Sequence, residues 1–415
     1  MAELQLRSLT ADDRAAVNYL DELAFGFTRE PDEEHVAHLD VMTNEYAIGV
    51  FDETELVGCG GAFPLDVTVP GGASLPCPGI TMIAVKPTHR RRGALTTMMR
   101  ELLDRCRAAG QPIAALTASE AAIYGRYGFG RGTSFKRISV DAKRAVFVDG
   151  APPIGDVRMI TADEARDVWP ELHERCRAGV SGMMRRSADL WAAELRDAPG
   201  DRGGASGMHH VVHRSASGQV DGAVAYRIKM DWRGDGAFHE IVVKHFAAES
   251  SEVGIALWRF LCSVDLVGTV VSDRPTQDPL REALTEPRII KAIYDGDHNW
   301  LRILDPVACF AARRYLFDGR FVVGFEDPTY DDVTGNYRLD VVNGTAQVAR
   351  TDEQPDLTAD AQSWASVFAG DVDPRALVAT GRAVGDADRA ARFSPSTTCR
   401  TRTSGTRPAA LARRA

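Results

Sequence analysis

Ile83-Ala84-Val85-Lys86-Pro87-Thr88-His89-Arg90-Arg91-Arg92-Gly93-Ala94-Leu95-Thr96 is the stretch whose reading decides the fold. Ile80 to Val85 reads as a buried strand, a tight basic turn follows it, and an amphipathic helix opens at the glycine. Leu95, Met98, Met99, Leu102, Leu103 and Cys106 recur at spacings of 3, 4, 7, 8 and 11, one continuous apolar helical face. Gly110 suits the position just past the helix end, and Pro112 enforces the stop. The first N–H groups of such a helix point outward, and its dipole favours negative charge there. Three arginines add cationic charge at the same place, and Gly93 lets a ligand approach the backbone closely. The pattern predicts a phosphate or pyrophosphate site; the alternative is a basic, solvated turn that only caps a core helix.

Downstream, Ile113 to Ala118 reads as the next strand, with Ser119 as a helix N-cap. Glu120 to Tyr127 reads as a short helix, and Gly125, Gly128 and Gly130 punctuate the return. Tyr124 lies on that helix, about one strand spacing from the basic turn if the two strands are neighbours. A phenol with an ordinary pKa of about 10 suits protonation of a departing alkyl thiolate. The competing role is a core aromatic, the role expected of Tyr127 and Phe129. Upstream, Thr10 is placed to cap a helix running through Tyr19 and Leu23. Tyr46 to Phe51 and Glu55 to Phe63 read as two strands around the turn Asp52-Glu53-Thr54.

These residues carry a resemblance. The strand, the Arg90-to-Gly93 turn, the helix, the next strand, Ser119-Glu120 and Ile123-Tyr124-Gly125-Arg126-Tyr127-Gly128 resemble a GCN5-related N-acetyltransferase (GNAT). More narrowly, Thr88 to Gly93 and Leu116 to Gly130 are similar to the mycobacterial enhanced-intracellular-survival (Eis) family, which tends to have Leu where Leu95 stands. The resemblance spans about 390 residues. It implies an α+β chain of two tandem acetyltransferase-like domains followed by a sterol-carrier-like domain. It also implies acetyl-CoA as co-substrate, held by Ile83, Ala84 and Val85, by Arg91, Arg92, Gly93, Ala94, Leu95 and Thr96, and by Ser119 and Glu120. Tyr124 is then the general acid, and the chain's terminal carboxylate, here Ala415, the general base. The acceptor amine attacks the thioester directly, so no covalent enzyme intermediate, Ser-His-Asp set or metal is expected. Acceptors implied are polycationic small molecules such as aminoglycosides, or lysine side chains, and the implied assembly is a homohexamer.

The remaining chain fits that layout, with boundaries expected at 1–150, 151–295 and 296–393 and a basic tail over 394–415. Ile160-Thr161-Ala162-Asp163-Glu164 repeats the Thr-capped opening, His210 to His213 and Gly222 to Ile228 form a strand pair around Gly218, and Glu240 to Lys244 precedes a helix through Ile255, Leu257, Trp258 and Leu261. The basic turn is missing here. Ala247-Ala248-Glu249-Ser250-Ser251-Glu252-Val253-Gly254 puts two carboxylates at the helix entrance, which would repel a pyrophosphate, so this copy reads as a structural partner. A third segment starts near Arg302 and alternates through Arg320 to Phe325 and Asn336 to Val342, then turns helical around Ser363 to Phe368 and Pro374 to Thr380.

Composition agrees with a globular protein of 415 residues, 44% apolar and 26% charged. Seven scattered cysteines with no C-x-x-C pair argue against a disulfide framework or zinc ribbon. The net charge is −9, of which residues 394–415 contribute +5, leaving −14 on the first 393. An acidic body disfavours nucleic acid and attracts cationic substrates, although many cytosolic proteins are simply acidic. No signal peptide or membrane span is read, and the cytoplasm is the expected compartment. His209, His210 and His213 do not form a metal motif, since a strand puts the first two on opposite faces. Asp21-Glu22, Asp32-Glu33-Glu34 and Asp331-Asp332 are read as solvated surface. The reading from another class is a non-catalytic lipid carrier on an acyltransferase scaffold.

Overall fold

The computed structural model describes residues 4–27, 45–276 and 278–394. They fall into two compact units, one built from the residues up to Thr133 and from His298 onward, the other from Ser134 to Asp297.

The first unit opens with β1 (Gln5–Ser8), α1 (Arg14–Phe25), β2 (Ile48–Asp52), β3 (Glu55–Phe63) and β4 (Gly79–Val85). It continues through α2 (Ala94–Ala108), β5 (Ile113–Leu116), α3 (Ala121–Tyr124) and β6 (Gly130–Arg131). Thr10 does mark the helical start, but through a single 3-10 turn in which the Asp13 carboxylate accepts from the Thr10 N–H at 2.9 Å. Helix α1 buries Val17, Leu20 and Asp21. Asp21 is only 5% exposed, which corrects its reading as solvated surface; residues 32–34 lie outside the described residues. Helix α2 buries the expected face, Met98, Met99, Leu102, Leu103 and Cys106. Gly110 ends it at φ +70°, with its N–H on the Arg107 carbonyl and the Gln111 N–H on the Cys106 carbonyl.

The second unit comprises β7 (Ser134–Asp141), β8 (Asp156–Ile160), α4 (Ala162–Arg177), α5 (Ala188–Glu194), β9 (His209–Arg214) and β10 (Val220–Lys229). It ends with β11 (His239–Ala248), α6 (Ser251–Cys262), β12 (Val267–Pro275) and β13 (Ile290–Asp297). The sheet order is β8-β9-β10-β11-β12-β7-β13, with α6 joining the parallel pair β11 and β12. Thr161 caps α4 in a reciprocal box with Glu164. Beneath α4 and α5 lies a core of aromatic rings and histidines. Trp169 and Trp191 stack at 6.4 Å, and His245 and His173 lie 5.4 and 5.2 Å from those two rings, respectively.

These histidines are buried in the neutral form. Burial, reinforced by Arg186, pushes His173 down to about 3, and burial pushes His245 well below the ordinary range. His210 is lowered by burial too, and its Nδ1 accepts from Trp169 Nε1 at 3.3 Å. The unfolded chain begins to bind a proton at each of these sites near pH 6.5, whereas the fold does so only at lower pH. Stability is therefore whole above pH 6.5 and falls as pH drops below it. His173 alone accounts for about 1.4 kcal/mol at pH 5.5. His173→Gln keeps a donor for the Met184 carbonyl, which His173 Nε2 reaches at 2.8 Å. In urea unfolding followed by tryptophan fluorescence, the loss between pH 7 and 5.5 should be smaller in this variant by about that amount. An identical pH dependence in the two proteins would mean His173 is not buried neutral.

The chain then adds β14 (Trp300–Ile303), α7 (Pro306–Ala312), β15 (Gly319–Glu326), β16 (Gly335–Val342), β17 (Thr345–Thr351), β18 (Leu357–Asp360), α8 (Ala361–Phe368), α9 (Pro374–Ala379) and β19 (Ala383–Gly385) to the first unit. The stretch at Arg302 does not open a separate segment. As β14 it completes the first sheet, ordered β1-β2-β3-β4-β5-β14-β6, pairing Trp300 with Leu116 and Ile303 with Ile113. All four of its residues are buried, so no alternation betrays it as a strand. The last strands form a sheet ordered β17-β16-β15-β18-β19. Its core packs Phe310, Phe325, Trp364 and Phe393 ring to ring. Among the described residues no helix is long and apolar enough to cross a membrane.

Candidate active site

The site begins with a break in the sheet. Strand β4 runs parallel to β5 only at Gly79 and Ile80, which pair with Ala115 and Leu116. On its other side β4 stays bound to β3 as far as Val85, but the register shifts between Cys59 and Gly61. Opposite that shift Met82 has φ +54°, rare for a residue with a side chain, and Cys59 Sγ donates to its carbonyl at 3.5 Å. The bulge turns the end of β4 away from β5. Among the described residues the backbone edge of Ile83, Ala84 and Val85 that faces β5 therefore has no ladder partner, and such an edge can pair with an extended ligand. Thr117 Oγ1, one residue past β5, is buried without a hydrogen-bond partner among the described residues.

The basic turn follows directly. Arg91 at φ +61° and Gly93 at φ +89° bend the chain so that Gly93 becomes the N-cap of α2. A Cβ added at Gly93 would meet nothing within 4 Å, so the space in front of the helix is open. Gly93 offers no side-chain acceptor to the first N–H groups, which stay available for an anion. The three arginines are not equivalent. Arg92 Nη1 donates to Asp52 Oδ2 at 2.9 Å, and His89 Nε2 lies 3.2 Å from the same oxygen. Arg92, then His89, holds the Asp52 carboxyl below the usual range. Arg92 thus anchors the turn to the end of β2. Arg90 and Arg91 are exposed and form no ion pair among the described residues. Ala94 is buried under the first turn, Leu95 is half-buried, and Thr96 Oγ1 lies 3.1 Å from the Tyr127 hydroxyl.

Ser119 and Glu120 are exposed on the link from β5 to α3, and Tyr124 ends α3 at 6% exposure. Its ring meets Phe129 edge-on at 6.4 Å. Burial raises the Tyr124 phenol above its ordinary value, and a hydrogen bond with Ser119 partly opposes the rise. The phenol is therefore protonated throughout the neutral range. The glycines that follow are dictated by packing. A Cβ on Gly130 would come within 2.0 Å of the Gln362 carbonyl on α8, and one on Gly128 within 2.9 Å of the Arg302 guanidinium. Tyr127 and Phe129 are core residues, as expected.

The second unit's counterpart differs as the sequence indicates. Helix α6 is capped by Ser250, whose Oγ accepts from the Val253 N–H at 3.3 Å, and Glu249 pairs with Arg175 at 2.5 Å. A filled cap and an acid replace the open Gly93 and its arginines. Ala415 lies outside the described residues. Three contributors escaped the sequence reading: the Met82 bulge, which leaves no sequence signal, Thr117, and Asp52, whose place in a strand-ending turn was the one hint.

Comparison with known proteins follows the same layout. Residues 5–132 match an acetyltransferase (GNAT) domain family, residues 182–303 a second acetyltransferase (GNAT) domain family, and residues 306–400 the sterol carrier protein domain family. An uncharacterized N-acetyltransferase of Streptomyces avermitilis is 35% identical over 362 residues, 86% of this chain and 88% of that protein. The N-acetyltransferase Eis of Mycobacterium tuberculosis is 34% identical over 335 residues, 79% of each chain. The crystal structure of Eis1 from Mycobacterium abscessus matches with a TM-score of 0.83 at 28% identity, covering 95% of this chain and 98% of that one. With two GNAT domains, a sterol-carrier domain and this identity over most of its length, the chain belongs to the Eis family of acetyl-CoA-dependent N-acetyltransferases.

Proposed function

We propose that this enzyme acetylates amines of polycationic small molecules, aminoglycosides among them, or of lysine side chains, by direct attack of the amine nitrogen on the acetyl thioester. The observation that carries the reading is the unpaired edge of β4 running into the open, Gly93-capped end of α2. Ile83, Ala84 and Val85 would hold the amide-bearing arm of acetyl-CoA along that edge. The main-chain N–H groups from Arg91 to Thr96, with the Arg91 guanidinium, would hold its phosphates, and Arg92 would support the turn from Asp52. Ser119 and Glu120 would line the link beside Tyr124. As the C–S bond breaks, Tyr124 would give its proton to the leaving sulfur, and the amine would lose its proton through water. The −14 charge of the first 393 residues supports a cationic acceptor. In this reading the first acetyltransferase-like domain is catalytic, the second a structural copy and the sterol-carrier segment a scaffold, assembled as a homohexamer in the cytoplasm.

The sterol-carrier segment favours a scaffold over a lipid carrier. Its interior is occupied by Phe310, Phe325, Trp364 and Phe393, and the cavity beside Phe393 measures only about 10 Å³. The test is acetyl-CoA-dependent mass gain on a panel of aminoglycosides and a lysine peptide. Addition of one or more acetyl groups to an aminoglycoside or to the peptide supports the proposal, and no product across the panel, with acetyl-CoA binding verified, overturns the acceptor class. Gly93→Ala tests the turn. A Cβ at φ +89° has room but strains the backbone by about 1–2 kcal/mol. The KM for acetyl-CoA should rise roughly tenfold if binding demands that conformation. A KM within twofold of the parent would remove the turn from the cofactor site.

A further inference from the structure

The second unit keeps a cleft of its own. Strands β11 and β12 pair from His239 with Val267 to Val242 with Val271 and then separate, as β4 and β5 do in the first unit. The mouth of this split, at the entrance to α6, holds a cavity of about 60 Å³. That is room for a handful of water-sized groups, ~4–6, and thus for a short organic fragment. Its walls are largely apolar, with Val180, Met183, Phe246 and Pro279 among them.

Two of its lining residues carry donors without acceptors among the described residues. Trp258 is 1% exposed and Arg274 8%, and neither Trp258 Nε1 nor Arg274 Nη1 has a hydrogen-bond partner among the described residues. A buried N–H left unpaired is costly, so two in one cavity ask for an acceptor atom. The guanidinium is fixed in place, since Arg274 Nε donates to Asp278 Oδ2 at 2.6 Å and its plane covers the Phe246 ring at 3.8 Å. The Asp278 charge already balances Arg274, and Glu249 precedes the helix entrance. A second anion would enter a largely apolar site whose one guanidinium is already balanced by Asp278. A neutral carbonyl oxygen meets both donors without that penalty.

We infer that this cleft binds a small neutral acyl group, an amide carbonyl with a short aliphatic substituent, with its oxygen on Trp258 Nε1 and Arg274 Nη1. The site lies within the second unit and takes no nucleotide.

The test uses the full chain with its first unit saturated by coenzyme A. N-ethylacetamide and sodium butyrate, similar in size but different in charge, are titrated while the Trp258 indole N–H resonance, assigned through Trp258→Phe, is followed by NMR. The expected result is a saturable shift with N-ethylacetamide and a dissociation constant at least tenfold weaker for butyrate. Gly254 lines the same cleft, and a Cβ there finds only ordinary contact, 3.8 Å from Ala248. Gly254→Ala should therefore keep or raise Tm, because alanine favours the helix interior, yet weaken amide binding at least tenfold by filling the cavity. Arg274→Met should weaken it as well. No saturable shift with N-ethylacetamide, tighter binding of butyrate, or unchanged binding in Gly254→Ala would each overturn the inference.

Discussion

Tyr124→Phe is expected to lower kcat by about 100-fold or more, within the range for loss of a positioned general acid, while leaving the KM for acetyl-CoA within about threefold. At 6% exposure the phenol is raised above its ordinary value, so it is a weaker acid than a free alkyl thiol. It therefore cannot hand over its proton before the sulfur departs. Transfer must accompany C–S cleavage, when the charge building on sulfur makes it a far better acceptor than the intact thioester. Removing the hydroxyl leaves that charge forming without the proton that Tyr124 would give. The ring itself should stay, because its edge-on contact with Phe129 needs only carbon atoms. Tm should thus change little. The pH profile adds a sign: with the Tyr124 phenol held above its ordinary range by burial, the parent enzyme should show no falling alkaline limb from this group across the neutral range. Single-turnover rates of Tyr124→Phe within threefold of the parent, at saturating acetyl-CoA, would take the general-acid role from Tyr124.

Much of this site was legible because its parts are local. A strand, a basic turn with one glycine and a helix with a 3–4 repeat lie in sequence order, and each obeys the pattern of its own element. Leu95 to Cys106 and the Gly110 stop needed no tertiary information. What stayed hidden depends on distant partners. The Met82 bulge is set by the register of β3 against β4, and nothing in Ile80-Thr81-Met82 departs from an ordinary buried strand. In sequence Arg92 reads as a cofactor contact alongside Arg91, and only the arrival of Asp52 from the end of β2 separates the two. Strand β14 is hidden in the sequence for a related reason. Trp300-Leu301-Arg302-Ile303 is buried on both faces, and an arginine at its centre disguises it until its partner carboxylate is known. Likewise Gly128 and Gly130 read as turn punctuation, whereas the side chains they exclude would collide with Arg302 and α8.

That arginine carries the other large effect. Arg302 and Asp327 both have 0% side-chain exposure, and Nη2 of Arg302 reaches the two carboxylate oxygens at 2.8 and 2.6 Å. Arg302 sits on β14, between β5 and β6, and Asp327 follows β15, so the pair ties the acetyltransferase sheet to the sterol-carrier segment within one unit. Asp327 also accepts from the Thr329 and Tyr330 N–H groups at 2.8 and 3.1 Å, which leaves little freedom to relax. Breaking a buried pair from one side strands a charge, so Asp327→Ala should cost about 3–5 kcal/mol in urea unfolding of the first unit. The guanidinium rests against Gly128, four residues after Tyr124. A shift of Arg302 is therefore expected to disturb the short helix that carries Tyr124, and kcat should fall together with stability. Replacing both partners, as Arg302→Met with Asp327→Leu, removes the stranded charge and should recover much of the loss. The recovery separates electrostatics from lost shape: a double variant as unstable as Asp327→Ala would assign the effect to the Thr329–Tyr330 turn. A single variant within 1 kcal/mol of the parent would mean that water or another group reaches Arg302, and that the sterol-carrier segment supports the acetyltransferase sheet by packing alone.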